Sequence, residues 1–237
     1  MNGKRIEIKN LHKKVKDLVI IKDLSLDIMK GEKIAILGAN GSGKTTLIEI
    51  IAGITKPSSG TAKVHTQGSK MKRLGLQFQE GYWPKGVTPK IIINYYTNKK
   101  DRNSAWLKKL IEIFEVEPYL KKDLNNLSGG EKQRFNAMLA VINQPEIIIL
   151  DELITGLDLK MQMKLIAFFK TYLKEHPDKT LILVSHHPEE VEEVCERIIL
   201  LEKGTLIVDA PLTEIKQKYG SVRNFMEQYY QEMGVVV

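Results

Sequence analysis

Gly38-Ala39-Asn40-Gly41-Ser42-Gly43-Lys44-Thr45 is the stretch whose reading decides the fold. It fits G-x-x-x-x-G-K-[ST], follows the apolar run Lys33-Ile34-Ala35-Ile36-Leu37, and precedes a helix-like segment with Leu47, Ile48, Ile50 and Ile51 apolar. Strand, glycine loop and helix in that order is the setting the motif requires. The glycines let backbone N–H groups turn toward oxygen anions, and the helix N-terminus adds partial positive charge. Gly38, Asn40, Gly41, Ser42, Gly43 and the following Thr46 are therefore expected around a phosphate chain. Lys44 is expected to reach the β- and γ-phosphates, and the Thr45 hydroxyl to ligate Mg²⁺. With every fixed position filled, the reading is a nucleoside triphosphate site rather than a glycine turn that binds nothing.

The rest of the chain bounds what such a site can serve. At 237 residues with 43% hydrophobic composition, a real core is available. No run of apolar residues is long enough to span a bilayer. The start, Met1-Asn2-Gly3-Lys4-Arg5-Ile6-Glu7, has no signal-peptide pattern, and Cys195 stands alone beside Glu192, Glu193 and Glu196. A cytoplasmic protein is expected. The net charge of +7 gathers at Lys4, Arg5, Lys9, Lys13, Lys14 and Lys16, and again at Lys63, Lys70, Lys72 and Arg73. No aromatic residues interleave with these cations, so a solvated basic face is expected rather than a nucleic-acid surface.

Short apolar runs alternate with helical patterns, which predicts an α/β fold with a mainly parallel core sheet. Ile147-Ile148-Ile149-Leu150 and Leu181-Ile182-Leu183-Val184 read as fully buried strands. Ile198–Leu201 and Leu206–Val208, separated by Glu202-Lys203-Gly204, read as an antiparallel edge hairpin. The stretch 80–144 carries no clear strand, which predicts a helical subdomain inserted into an α/β core of about 1–79 and 145–237. After Ser221, the spacing of Val222, Phe225, Met226 and Tyr229 predicts a final amphipathic helix.

Two further features carry chemistry. The strand Ile147–Leu150 ends in Asp151-Glu152, and ligands gather at the C-terminal ends of parallel strands. Asp151 is expected to hold Mg²⁺, and Glu152, diverging from it, to orient or deprotonate a water that attacks the γ-phosphate. In Leu127-Ser128-Gly129-Gly130-Glu131, Ser128 and Glu131 form a capping box. The cap does not explain Gly129 and Gly130, which leave bare N–H groups at a helix N-terminus, an anion site without an anion of its own. A second chain's nucleotide is the candidate.

The phosphate loop, LSGGE and ILDE, in this order, resemble the nucleotide-binding domain of an ATP-binding cassette (ABC) protein along essentially the whole chain. The resemblance implies an ABC-type P-loop NTPase fold, and an ATPase whose dimer closes over two Mg-ATP. It implies that Gln79 is the glutamine that reaches Mg²⁺ and that Asp158 lies at the dimer interface. His186 is implied to contact the γ-phosphate, with His187 structural. The partners implied are a second copy or a homologous ATPase subunit, and separate transmembrane permease subunits that hold the chain at the inner face of the cell membrane. The Ser185–Cys195 segment looks most like exporter ATPases. A soluble ATPase, such as one for iron–sulfur assembly, and a weakly hydrolysing regulatory cassette are the alternatives.

Two departures from the family pattern stand out. The register places Val15 where the family usually stacks an aromatic ring on adenine. In Asp151-Glu152-Leu153-Ile154-Thr155-Gly156-Leu157-Asp158, Leu153 and Ile154 replace the usual proline and threonine. Both carboxylates and Gly156 remain, so hydrolysis is expected to survive.

Overall fold

The computed structural model describes residues 3–67, 73–77 and 83–232. They belong to two compact units: Met1–His65 with Thr180–Val237, and Thr66–Lys179.

The first unit contains the strand, loop and helix of the glycine motif. Strand β3 (Lys33–Leu37) pairs in parallel with β7 (Thr180–Val184) on one side and β8 (Arg197–Glu202) on the other. Every residue of β7 is buried, as its uninterrupted apolar run requires. Strand β9 (Thr205–Pro211) closes the edge antiparallel to β8, with exposed and half-buried residues alternating along it. Helix α1 (Lys44–Ile51) buries Leu47, Ile48, Ile50 and Ile51. Helices α6 (Pro188–Val194), α7 (Leu212–Tyr219) and α8 (Val222–Glu232) follow, and α8 buries Val222 and Phe225 as its spacing predicts.

The unit also holds an antiparallel sheet that the sequence reading passed over. Strands β1 (Lys4–Val15), β2 (Leu18–Met29) and β4 (Ser59–Val64) pair in the order β2-β1-β4. Strand β2 alternates from Leu24 on, with Leu24, Leu26 and Ile28 buried and Ser25 and Asp27 exposed, but two exposed residues separate buried Ile21 from Leu24, where Asp23 has φ 47. In β1 the alternation breaks: Ile6 and Ile8 are buried, and the next buried residue is Leu11, three positions on. A register shift lies between Ile8 and Leu11, and Asn10 has φ 45. An extra residue in one strand reverses the face of everything beyond it, which erases the two-residue period. Two of the basic N-terminal residues pair within this sheet: Lys4 with Glu7 at 2.8 Å and Asp27 at 2.9 Å, and Lys9 with Glu7 at 3.0 Å.

The second unit pairs β5 (Leu74–Leu76) in parallel with β6 (Ile147–Asp151), and β6 is buried at every position. Between them lie α2 (Pro89–Tyr96), α3 (Ala105–Ile113) and α4 (Gly129–Val141), with short 3₁₀ turns and, among the described residues of 83–146, no strand. Helix α5 (Leu159–Glu175) follows β6. Thr88, Ser104, Ser128 and Asp158 each cap a helix by accepting a hydrogen bond from the backbone N–H three residues on. Phe114, Phe168 and Phe169 meet edge to face at 5.1–6.3 Å, and Trp106 stacks on Tyr172 at 5.3 Å. Arg134 of α4 bonds Glu115 at 3.2 Å and lies 5.6 Å from the Tyr119 ring.

Candidate functional site

The phosphate loop is shaped by backbone. Gly38, Gly41 and Gly43 all have positive φ, and Gly43 in the left-handed region is the N-cap of α1. At Gly38 a Cβ would meet the Leu201 carbonyl oxygen at 2.2 Å and Ser42 Oγ at 2.7 Å, so only glycine fits. Lys44 is buried, and its ammonium donates to the carbonyls of Gly38 at 2.7 Å and Ala39 at 3.0 Å. Ser42 is 3% exposed, and its Oγ has no hydrogen-bond partner among the described residues. A buried hydroxyl left unmatched inside a glycine loop fits a polar oxygen-rich ligand. Asn40, Gly41 and Thr45 face solvent, and Thr46 is half-buried.

The β8–β9 turn props this loop, a role the sequence reading did not assign. Gly204 N–H donates to the Ser42 carbonyl at 3.0 Å, and Lys22 N–H donates to the Gly204 carbonyl at 2.8 Å. A Cβ on Gly204, whose φ is 80, would meet the Ile20 carbonyl oxygen at 2.3 Å. The signal was the glycine closing Glu202-Lys203-Gly204, legible as a turn but not as a support for a distant loop.

His186 follows β7 and is exposed, while its neighbour Ser185 is buried. Ser185 Oγ donates to the buried Glu190 carboxylate at 2.5 Å and accepts the His187 N–H at 2.9 Å. His187 is the N-cap residue of α6, in keeping with a structural role. Cys195 is buried, and desolvation followed by the Glu190 and Glu196 charges holds its thiol well above the usual range. Val15 ends β1 opposite Leu18 and is 47% exposed.

In the second unit, α4 begins with the expected capping box. Ser128 N–H donates to Glu131 Oε2 at 2.7 Å, and Glu131 N–H donates to Ser128 Oγ at 3.2 Å. The bond from Ser128 N–H, foremost, and then the Lys122 ammonium hold the Glu131 carboxyl below the usual carboxylate range. No atom crowds the Cβ position of Gly129, so the first turn of α4 presents open backbone.

Asp151 is 7% exposed at the end of β6, and Glu152 is partly exposed just beyond the strand. Glu152 has φ 56, a left-handed conformation that costs a side-chain-bearing residue about 1–3 kcal/mol. The divergence of the two carboxylates thus comes from a backbone reversal at Glu152, not from strand alternation alone. Gln133 of α4, which the sequence reading missed, donates its side-chain amide to the Glu152 carbonyl. A cavity of about 660 Å³ runs beside these groups, lined in part by Trp83, Gln133, Asn136, Asp151 and Glu152.

The turn after Glu152 is held by burial rather than by proline. Leu153 and Ile154 are 0% and 3% exposed, so apolar packing replaces the stiffness of a proline ring. Gln162 of α5 donates to the Leu157 carbonyl at 2.9 Å, and Asp158 caps α5 while remaining exposed. Gln79 lies outside the described residues.

Among the described residues no helix is long and apolar enough to cross a membrane. A family model described as "ABC transporter" matches residues 21–155, more than half of the chain. The Nod factor export ATP-binding protein I of Burkholderia lata is 27% identical, over 91% of this chain and 74% of its own length. The spermidine/putrescine import ATP-binding protein of Spiroplasma citri is 33% identical, over 85% of this chain and 60% of its own length. The chain thus spans less than two thirds of the second relative. A solved dimeric bacterial ABC transporter cassette superposes with a TM-score of 0.78 at 26% identity, over 87% of this chain and 98% of that one. The same cassette is also solved in a post-hydrolysis state bound to ADP and Pi, with a TM-score of 0.76 at 25% identity. Glycine loop, capped LSGGE helix and Asp-Glu strand end are therefore those of a known lineage, and this chain belongs to the ABC transporter family as an ABC-type ATPase cassette.

Proposed function

We propose that the chain is the ATP-binding and ATP-hydrolysing subunit of an ABC transporter, acting as a dimer on separate membrane-spanning subunits. The observation that carries this reading is the open, glycine-headed first turn of α4 in a chain whose own phosphate loop is complete. Such a turn is an anion site, and a second copy supplies the nucleotide. The solved dimeric relative supports self-association of the cassette.

Each ATP lies between the Gly38–Thr45 loop of one copy and the Ser128–Gly130 turn of the other. Lys44 leaves the Gly38 and Ala39 carbonyls for the β- and γ-phosphates, and loop N–H groups and Ser42 bond phosphate oxygens. Thr45 and Asp151, with Gln79, offer the hard oxygen ligands that suit Mg²⁺. When bound, that ion neutralises charge on the β- and γ-phosphates. Glu152 takes a proton from the attacking water, and His186 donates toward the γ-phosphate. Phosphoryl transfer asks mainly for such positioning and charge neutralisation. In this reading residues 80–144 are the helical subdomain, and the segment Gly81–Pro89 is the surface offered to a permease subunit.

Relatives of both transport directions resemble this chain to a similar degree, 27% and 33% identity. Export is favoured by the Ser185–Cys195 resemblance, and the spanning subunits choose the cargo. The test is purification from native membranes at the level of the intact complex. Co-purification of a polytopic membrane protein whose presence stimulates ATP hydrolysis supports the reading, and vesicle uptake or release then reports direction. Co-purification with assembly scaffold proteins and no membrane partner overturns it in favour of a soluble ATPase.

A further inference from the structure

The Glu152 backbone sits in a conformation that side-chain-bearing residues avoid, so something in the fold must hold it there. One contact does so directly: the Gln133 side-chain amide donates to the Glu152 carbonyl oxygen. The acceptor is a carbonyl, so the NH₂ end of the amide must face it. Gln133 lies in the second turn of α4, the helix headed by Ser128, Gly129 and Gly130. The Cβ position of Gly130 is 3.4 Å from the Gly156 carbonyl oxygen, so the same helix also backs on the turn after Glu152. The helix end offered to one nucleotide is thereby joined, within one chain and through one side chain, to the carboxylate that serves the other.

We propose that Gln133 is a positioning residue for Glu152. By fixing the Glu152 carbonyl it fixes the direction in which the carboxylate leaves the backbone. It also makes that direction sensitive to how α4 is seated on the partner subunit's nucleotide. Glutamine suits the task because it combines a neutral donor with a three-carbon reach. Methionine matches its length and volume without the donor, and lysine keeps a donor at the end of an unbranched chain. The proposal rests on Glu152 being the general base.

The test is single-turnover and steady-state ATP hydrolysis by the full-length chain in four forms: parent, Gln133→Met, Glu152→Gln and the double variant. Gln133→Met is expected to lower kcat about 10- to 100-fold, the scale of misplacing a reacting group by an ångström or less, with KM for ATP within twofold of the parent. In the Glu152→Gln background the same change is expected to have no further effect, since its route to the reaction is gone. Gln133→Lys is expected to recover most of the rate. An unchanged kcat for Gln133→Met, a further loss in the Glu152→Gln background, or a Gln133→Lys variant as slow as Gln133→Met overturns the proposal. If Gln133→Met does not fold, Gln133→Leu, which also lacks the donor, is read in both backgrounds by the same criteria. Failure of the underlying reading looks different: Glu152→Gln itself then turns over at the parent rate.

Discussion

Lys44 Nζ lies 2.7 Å from the carbonyl oxygen of Gly38, a residue of the loop that Lys44 is expected to serve. The Ala39 carbonyl also accepts from this ammonium at 3.0 Å, so the lysine lies inside the loop it is expected to serve. Lys44→Ala is expected to lower ATP hydrolysis by about 10²- to 10³-fold, the scale of removing one preorganised electrostatic contact. Steady-state phosphate release checks it, and a rate within threefold of the parent contradicts the assignment.

Glu152→Gln keeps size and hydrogen bonding but removes the base. Hydrolysis is expected to fall about 10²- to 10⁴-fold, while ATP binding persists. Gel filtration with Mg-ATP is expected to show a dimer that parent protein forms only transiently. A variant that hydrolyses at the parent rate would falsify the role given to Glu152.

Gly204→Ala adds a methyl 2.3 Å from the Ile20 carbonyl oxygen at a residue with φ 80. Both the clash and the conformation act against it, so a loss of about 2–4 kcal/mol is expected. In a chain of this size that corresponds to a fall in Tm on the order of 5–15 °C, and calorimetry measures it. Nucleotide affinity is expected to fall as well, because Gly204 holds the Ser42 carbonyl.

Val15→Tyr restores a flat ring where the family places one. Stacking is worth about 1–3 kcal/mol per base, so ATP is expected to bind roughly 5- to 100-fold more tightly, with a smaller gain for a triphosphate lacking a base. Equal gains for ATP and inorganic tripolyphosphate would remove Val15 from the base site.

The Glu131 carboxyl is held below its usual range by the Ser128 N–H and then by Lys122. A depressed folded-state value means a contribution that is present above the ordinary carboxylate range and lost as pH falls through the depressed value. Acid titration of thermal stability is therefore expected to show a loss in the acid limb that Glu131→Gln reduces. An unaltered acid limb in Glu131→Gln would show that the cap adds no linked stability.

Much of the site was legible because its parts are short and local. The phosphate loop, the Ser128–Glu131 box and the end of β6 each need only neighbouring residues, and each lies where its spacing predicts. What escaped depends on residues far apart in the chain. Gly204 supports a loop more than a hundred and fifty positions upstream, and Gln133 reaches Glu152 across an intervening helix and strand. The β1–β2 sheet escaped for another reason: a bulge at Asn10 breaks the period on which strand recognition relies. Leu153 and Ile154 are legible as departures from the family's proline and threonine, but their burial is not, because it depends on what packs over the turn.

Cys195 is the chain's single cysteine, buried and with its thiolate suppressed. Alkylating reagents act on thiolates and need access, so the native chain behaves as a cysteine-free background. A reporter thiol placed on the exposed α5 face at Met163, which is 64% exposed, can thus be labelled selectively without first rebuilding the protein. In the proposed dimer, the distance between two such labels then tests whether the two copies open and close around ATP.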